Sequence, residues 1–191
     1  MKIPKKIGEP KELVAPVFGK GMIAQSYKNP KDETVYQFRM WKGKNASIVL
    51  PITKEKEVVA IMQYRHAAEE SIGQGIIWEI PGGSPSNEIE KPRELANKEL
   101  RQETGFEAKK FICISEKSPL LFEPTALIAN YHVYLAIDCE KVGELQLEKV
   151  EFIEIIKVPW EEWLKMTKTG VVIDSKTIVA THLAQNYLDK I

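Results

Sequence analysis

The stretch KELRQETGF, Lys98 to Phe106, decides how this chain of 191 residues folds. Glu99 and Glu103 stand four residues apart, so on a helix both carboxylates lie on one face, one turn apart. Leu95 and Leu100 mark the apolar side, and Gly105 stands where a left-handed glycine ends a helix. The pattern predicts a helix over Glu90–Thr104. Just upstream, EIPGG (Glu79 to Gly83) forces a turn, and Glu90 adds a third acid. Like charges side by side destabilise a helix unless a cation sits between them. A glycine turn leading into an acidic helix face is therefore read most economically as a divalent-cation site, and the cation points to phosphate chemistry.

Working outward, strands dominate. Thr34–Trp41 alternates, while Ala46–Ile52 and Val58–Tyr64 are β-branched and apolar, with Lys42–Asn45 and Lys54–Lys56 as hairpin turns between them. Ile76–Ile80 is a short strand ended by Pro81. Beyond the helix, Lys110–Ser115, Tyr131–Ile137 and Phe152–Val158 read as strands. Trp160–Thr167 reads as a short helix closed by Gly170, and Asp174 or Ser175 caps a last helix through Tyr187. Residues 1–33, rich in Lys, Pro and Gly, read as irregular, with one short strand near Met22–Tyr27. Trp78, Trp160 and Trp163 read as packing residues. The expected class is α+β, an α/β/α sandwich around a mixed sheet.

Composition sets outer bounds. Twenty-seven basic residues balance twenty-seven acidic ones, which argues against a nucleic-acid partner. The opening MKIPKKIGEP lacks the apolar core of a secretory signal, and no run reaches the roughly 18 apolar residues of a membrane helix. Cys113 and Cys139 have no metal-like spacing and read as reduced core thiols, which fits a cytoplasmic protein. His66, His132 and His182 likewise lack ligand spacing and read as structural.

These residues resemble a known motif. EIPGG, then Glu90, seven residues and KELRQETGF are similar to the Nudix box, G-x5-E-x7-R-E-U-x-E-E-x-G-U, where U is aliphatic or aromatic. Three departures stand out. Six residues rather than five separate Gly83 from Glu90, Lys98 replaces the arginine, and Gln102 replaces the first glutamate of the E-E pair. VVAIMQYRHA before the box and WEIPGG at its start resemble the ADP-ribose and nucleotide-sugar pyrophosphatase branch, as do Val150–Glu154 and Asp174–Thr177. SPLLFEP, Ser118 to Pro124, departs from the S-P-G pattern usual there.

The resemblance implies a Nudix fold, with residues 1–45 as a small N-terminal β-subdomain that pairs two chains into a homodimer and residues 46–191 as the hydrolase domain. It implies Mg²⁺, with Mn²⁺ as the other cation such a site accepts. Glu99 and Glu103 would be the main ligands, with Glu90, the Gly82 carbonyl and the Gln102 amide oxygen as further candidates. Glu151 is the first choice as general base and Glu148 the alternative. Arg65 would clasp a phosphate or enter a structural ion pair, and Glu79 would orient a sugar hydroxyl or anchor the turn. Trp41, Phe18 and Phe38 are candidates for stacking on a base, against a packing role for each. The implied reaction is hydrolysis of the pyrophosphate bond of ADP-ribose or a related nucleoside diphosphate sugar, giving a nucleoside monophosphate and a sugar phosphate. The rivals are GDP-mannose as substrate, or a nucleotide-binding module that keeps the fold without turnover.

Overall fold

The computed structural model describes residues 1–17, 19–86, 90–115 and 118–188. Phe18 lies outside them. In chain order the strands and helices are β1 (Lys5–Val17), β2 (Lys20–Lys28), β3 (Val35–Lys42), β4 (Ala46–Ile52), β5 (Glu57–Tyr64), α1 (His66–Ile72), β6 (Ile76–Glu79) and β7 (Gly82–Gly83). Then come α2 (Pro92–Thr104), β8 (Phe106–Cys113), β9 (Leu120–Leu121), β10 (Leu127–Ile128), β11 (Asn130–Lys141), β12 (Ile153–Pro159), α3 (Trp160–Lys168) and α4 (Ser175–Leu188). Among the described residues no helix is long and apolar enough to cross a membrane.

The chain forms two compact units. The first comprises Met1–Asn45 and Leu121–Asn130. Its sheet runs β1-β2-β3-β10, antiparallel except for the parallel β3–β10 contact. Residues 1–33 are thus not irregular. They hold two long strands, and the expectation fails for a physical reason. Every residue of β1 is exposed, so the strand carries no alternation to read, and Gly8, Pro10 and Pro16 are tolerated along it. Its register slips between Ile7 and Lys11, and the buried Gln25 amide fills that break by donating to the carbonyls of Ile7 (2.9 Å) and Gly8 (3.3 Å).

The second unit comprises Ala46–Leu120 and Tyr131–Ile191. Its mixed sheet runs β12-β5-β4-β11-β8, with β6 paired to β5 and β7 to β4. β3 and β4 lie in different sheets, so Lys42–Asn45 is a connector rather than the expected hairpin turn. Among the described residues β4 and β5 pair only at Ile52 and Val58, beside the turn in which Thr53 N–H donates to Glu57 O. Beyond that pair the two strands accept β7 and β6 instead of each other. This opening in the sheet positions the site.

From Ser47 onward every residue of β4 is buried, and both α2 and α4 pack on the strand. A strand covered on both faces reads as a continuous apolar run, as IVLPI does. On the α2 side Val49, Val59, Ala96, Leu100, Phe106, Tyr134, Ala136 and Cys139 form one cluster. Elsewhere Trp163 is fully buried, and its indole N–H donates to Thr181 Oγ1 at 2.9 Å.

α2 starts later than expected. Pro92 occupies the first turn, where its missing N–H costs nothing, so Glu90 precedes the helix. The predicted end holds: Gly105 adopts φ 72° and donates to Arg101 O. A Cβ there would also sit 2.2 Å from Gly143 O, so glycine is demanded twice. The seven-residue α1, closed by Gly73 at φ 68°, has too few turns to show a period and is absent from the sequence reading.

Candidate metal and diphosphate site

α2 positions the acids. Its apolar residues Leu95, Ala96 and Leu100 face the sheet, which holds Glu99 and Glu103 at the flank of that contact. Glu103 is only 3% exposed, and Gly82 N–H donates to its Oε2 at 2.8 Å. Loss of water pushes the Glu103 carboxyl up to about 8, against the pull of the Gly82 N–H, and the charges of Glu99 and Glu151 raise it further. Glu99 is pushed up to about 7, again first by burial. Lys98 opposes that rise, and Glu151, Glu90 and Glu148 reinforce it.

The glycine turn is fitted to these acids. Gly83 pairs with Ser47 of β4, and a Cβ on Gly83 would lie 2.6 Å from the Glu99 carboxyl carbon. A Cβ on Gly82 would lie 2.7 Å from Ser47 O. At Gly82 the obstacle is β4 backbone, which cannot yield, and at Gly83 it is the Glu99 carboxylate, which a side chain would displace, so the backbone and the acids approach each other directly.

Glu90 is placed differently. Its Oε2 accepts from Ser86 N–H at 3.0 Å and its Oε1 meets Lys98 Nζ at 3.3 Å. The Ser86 backbone bond first, and Lys98 after it, hold its carboxyl below the usual carboxylate range. Lys98 also lies 4.0 Å from Glu99 Oε1, so the lysine in the arginine position bridges two acids of the box. Gln102 contributes its carbonyl, which accepts from Gln146 N–H at 2.8 Å and ties the following loop to the helix.

That loop carries both base candidates. Glu151 Oε2 accepts from Glu148 N–H at 2.8 Å, so Glu151 caps its own turn while its charge reaches Glu99 and Glu103. Glu148 is exposed and Glu151 half-buried. Arg65 and Glu79 are occupied with each other. Arg65 Nε and Nη2 donate to the two oxygens of Glu79 at 2.8 and 2.6 Å, and Glu79 is 3% exposed. The fork thus anchors the strand entering the glycine turn. Ile80 N–H, donating to Thr177 Oγ1 at 3.2 Å, anchors it from α4, where Asp174 caps by accepting from Thr177 N–H at 2.9 Å.

The donors gathered here are hard oxygens, the type that Mg²⁺ and Mn²⁺ take. Among the described residues no three His, Cys, Asp or Glu side chains already form a cage. Glu90 meets Lys98, Glu103 a peptide N–H and Glu151 its own loop. Mg²⁺ needs only one or two carboxylates with waters and phosphate oxygens, so Glu99 and Glu103 fit it.

Sequence reasoning missed Ser86 and Lys98 as a bridge, and it allowed Arg65 an ion pair and Glu79 an anchoring role without pairing the two. Partners across loops leave no periodic signal. Lys98 was legible only as a charge. Trp41 is 51% exposed and Phe38 is exposed too, both in the first unit, while Trp160 and Trp163 are buried in the second.

No family model matches the chain. It is 31% identical to an ADP-ribose pyrophosphatase of Bacillus subtilis over 145 residues, 75% of this chain and 74% of that one. It is 32% identical to a methanol dehydrogenase activator of Bacillus methanolicus, over 73% of this chain and 71% of the relative. It is 31% identical to a GDP-mannose pyrophosphatase of Escherichia coli K12, over 77% and 74%. A crystal structure of an ADP compounds hydrolase shares the fold, with a TM-score of 0.80 at 16% identity over 100% of this chain and 96% of that one. With two glutamates held against a Gly-Gly turn and these relatives spanning three quarters of its length, the chain belongs to the Nudix hydrolases, in the branch of the ADP-ribose and nucleotide-sugar pyrophosphatases.

Proposed function

We propose that this protein hydrolyses the pyrophosphate bond of ADP-ribose or a related nucleoside diphosphate sugar in the presence of Mg²⁺ or Mn²⁺. The products are a nucleoside monophosphate and a sugar phosphate. One observation carries the reading: a buried glutamate, Glu103, and a half-buried one, Glu99, repel each other while packed against a glycine turn whose Cβ positions the Glu99 carboxylate and the β4 backbone occupy. A bound cation supplies charge neutralisation on the phosphate oxygens and a more acidic water. Glu99 and Glu103 hold it, with Glu90 poised behind Lys98. Gly82 and Gly83 let backbone and diphosphate come close. Glu151 leaves its contact with Glu148 N–H and takes the proton of the attacking water. Arg65 keeps Nη1, beyond its fork to Glu79, for a phosphate oxygen.

The same reading includes a homodimer with residues 1–45 as its pairing subdomain. The fully exposed β1 and the exposed Val35, Phe38 and Trp41 support it. The free thiols Cys113 and Cys139 support a cytoplasmic setting. A second reading, a nucleotide-binding module without turnover, draws support from Gln102 and from acids not yet gathered around one point.

The test is incubation with Mg²⁺ and a panel containing ADP-ribose and GDP-mannose. Release of a nucleoside monophosphate from at least one sugar, abolished in Glu103→Gln, is the expected result. Binding without product from any member, with Glu103→Gln indistinguishable from wild type, would favour the second reading.

A further inference from the structure

Ser47 is 1% exposed, and its hydroxyl has no hydrogen-bond partner among the described residues. A buried hydroxyl left unpaired is costly, so its position calls for a reason. Ser47 and Gly83 are directly paired across β4 and β7. Paired residues share a face of the sheet, with Cβ positions about 5 Å apart. Gly83 has no Cβ, and the space where one would stand lies within 2.6 to 2.9 Å of the Glu99 carboxyl atoms. The Ser47 hydroxyl and the Glu99 carboxylate therefore flank the same glycine, on the face of β4 that also carries Val49 toward α2. Alanine would pack in this strand without the unpaired oxygen.

We propose that Ser47 is a positioning residue for Glu99. Its hydroxyl donates to a Glu99 carboxylate oxygen once that carboxylate turns from Lys98 onto the cation. The donated bond fixes which oxygen faces the cation, as outer partners of metal ligands do. The inference rests on the proposed reading of Glu99 and Glu103 as cation ligands. It adds a residue that the box does not contain.

The test compares wild type and Ser47→Ala as full chains, first metal-free and then titrated with Mn²⁺ alone by calorimetry. Without metal the variant should melt at the same temperature as wild type or higher, because an unpaired buried hydroxyl is gone. Its Mn²⁺ affinity should fall by about 10-fold or more, the range seen when such partners are removed. Opposite signs in the two measurements support the inference. Unchanged Mn²⁺ affinity overturns it, as does a weakened affinity accompanied by a lower metal-free melting temperature, which marks a structural role. Failure of wild type itself to bind Mn²⁺ overturns the cation reading and this inference together, whereas unchanged affinity in the variant leaves the cation reading standing.

Discussion

Two parts of one acidic motif behave in opposite ways. Glu90, ahead of α2, has a serine N–H and a lysine, and its carboxyl is held low. Within α2, Glu103 is buried and Glu99 half-buried, and both face like charges and are held high. The fold sets Lys98 at 3.3 Å from the first, whereas Glu99 meets Lys98 at 4.0 Å and Glu103 a peptide N–H. Where a protein spends stability on uncompensated charge, function is the expected return.

The largest effect should come from the unneutralised pair. Glu103→Gln should lower kcat by about 1,000-fold or more, measured on the best substrate of the panel, because a cation ligand acting in the transition state is lost. The same change should leave the metal-free melting temperature equal or higher, since it removes a buried charge. Glu151→Gln should lower kcat by about 100-fold or more if it is the base, and Glu148→Gln by far less. The reverse order would move the role to Glu148. Gly83→Ala drives a methyl into the Glu99 carboxylate and should weaken Mn²⁺ binding by about 10-fold or more, read by calorimetry.

A pH series should separate the two parts next. Glu99 and Glu103 bind protons more tightly folded than unfolded. The stability they contribute is fully present below about 4.5, and it is lost as pH rises through about 7 and about 8. Metal-free melting temperature should therefore fall across that window, and added Mg²⁺ should restore it most strongly at the alkaline end. Glu90 runs the other way, its contribution lost only as pH falls through its lowered value. Glu90→Gln should have the smallest effect of all, costing less than about 1 kcal/mol in denaturant melts, as partly exposed ion pairs do.

How much of this was legible depends on what each element packs against. α2 and its glycine cap were readable because one face is buried and Gly105 has a single permitted conformation. β4 was readable because both its faces are covered. β1 was not, because nothing in the described structure covers either face and its thirteen residues carry no pattern. In the site, helical spacing puts Glu99 and Glu103 on one face, and the glycine turn, Glu90 and Gly105 around them single them out. The Arg65–Glu79 fork spans fourteen residues and a helix, and the Ser47–Gly83 pairing spans two strands, so neither leaves a periodic trace. The extra residue between Gly83 and Glu90 could be counted, yet the Ser86 contact it accompanies could not be foreseen.

The central claim is that Glu99 and Glu103 capture a divalent cation beside the Gly82-Gly83 turn. Crystals soaked in Mn²⁺ and measured at the manganese absorption edge test it most directly. The account predicts an anomalous peak bonded to oxygens of both glutamates, with Glu103 still against the glycine turn. A map with no peak there, and with Glu99 remaining on Lys98, would contradict it.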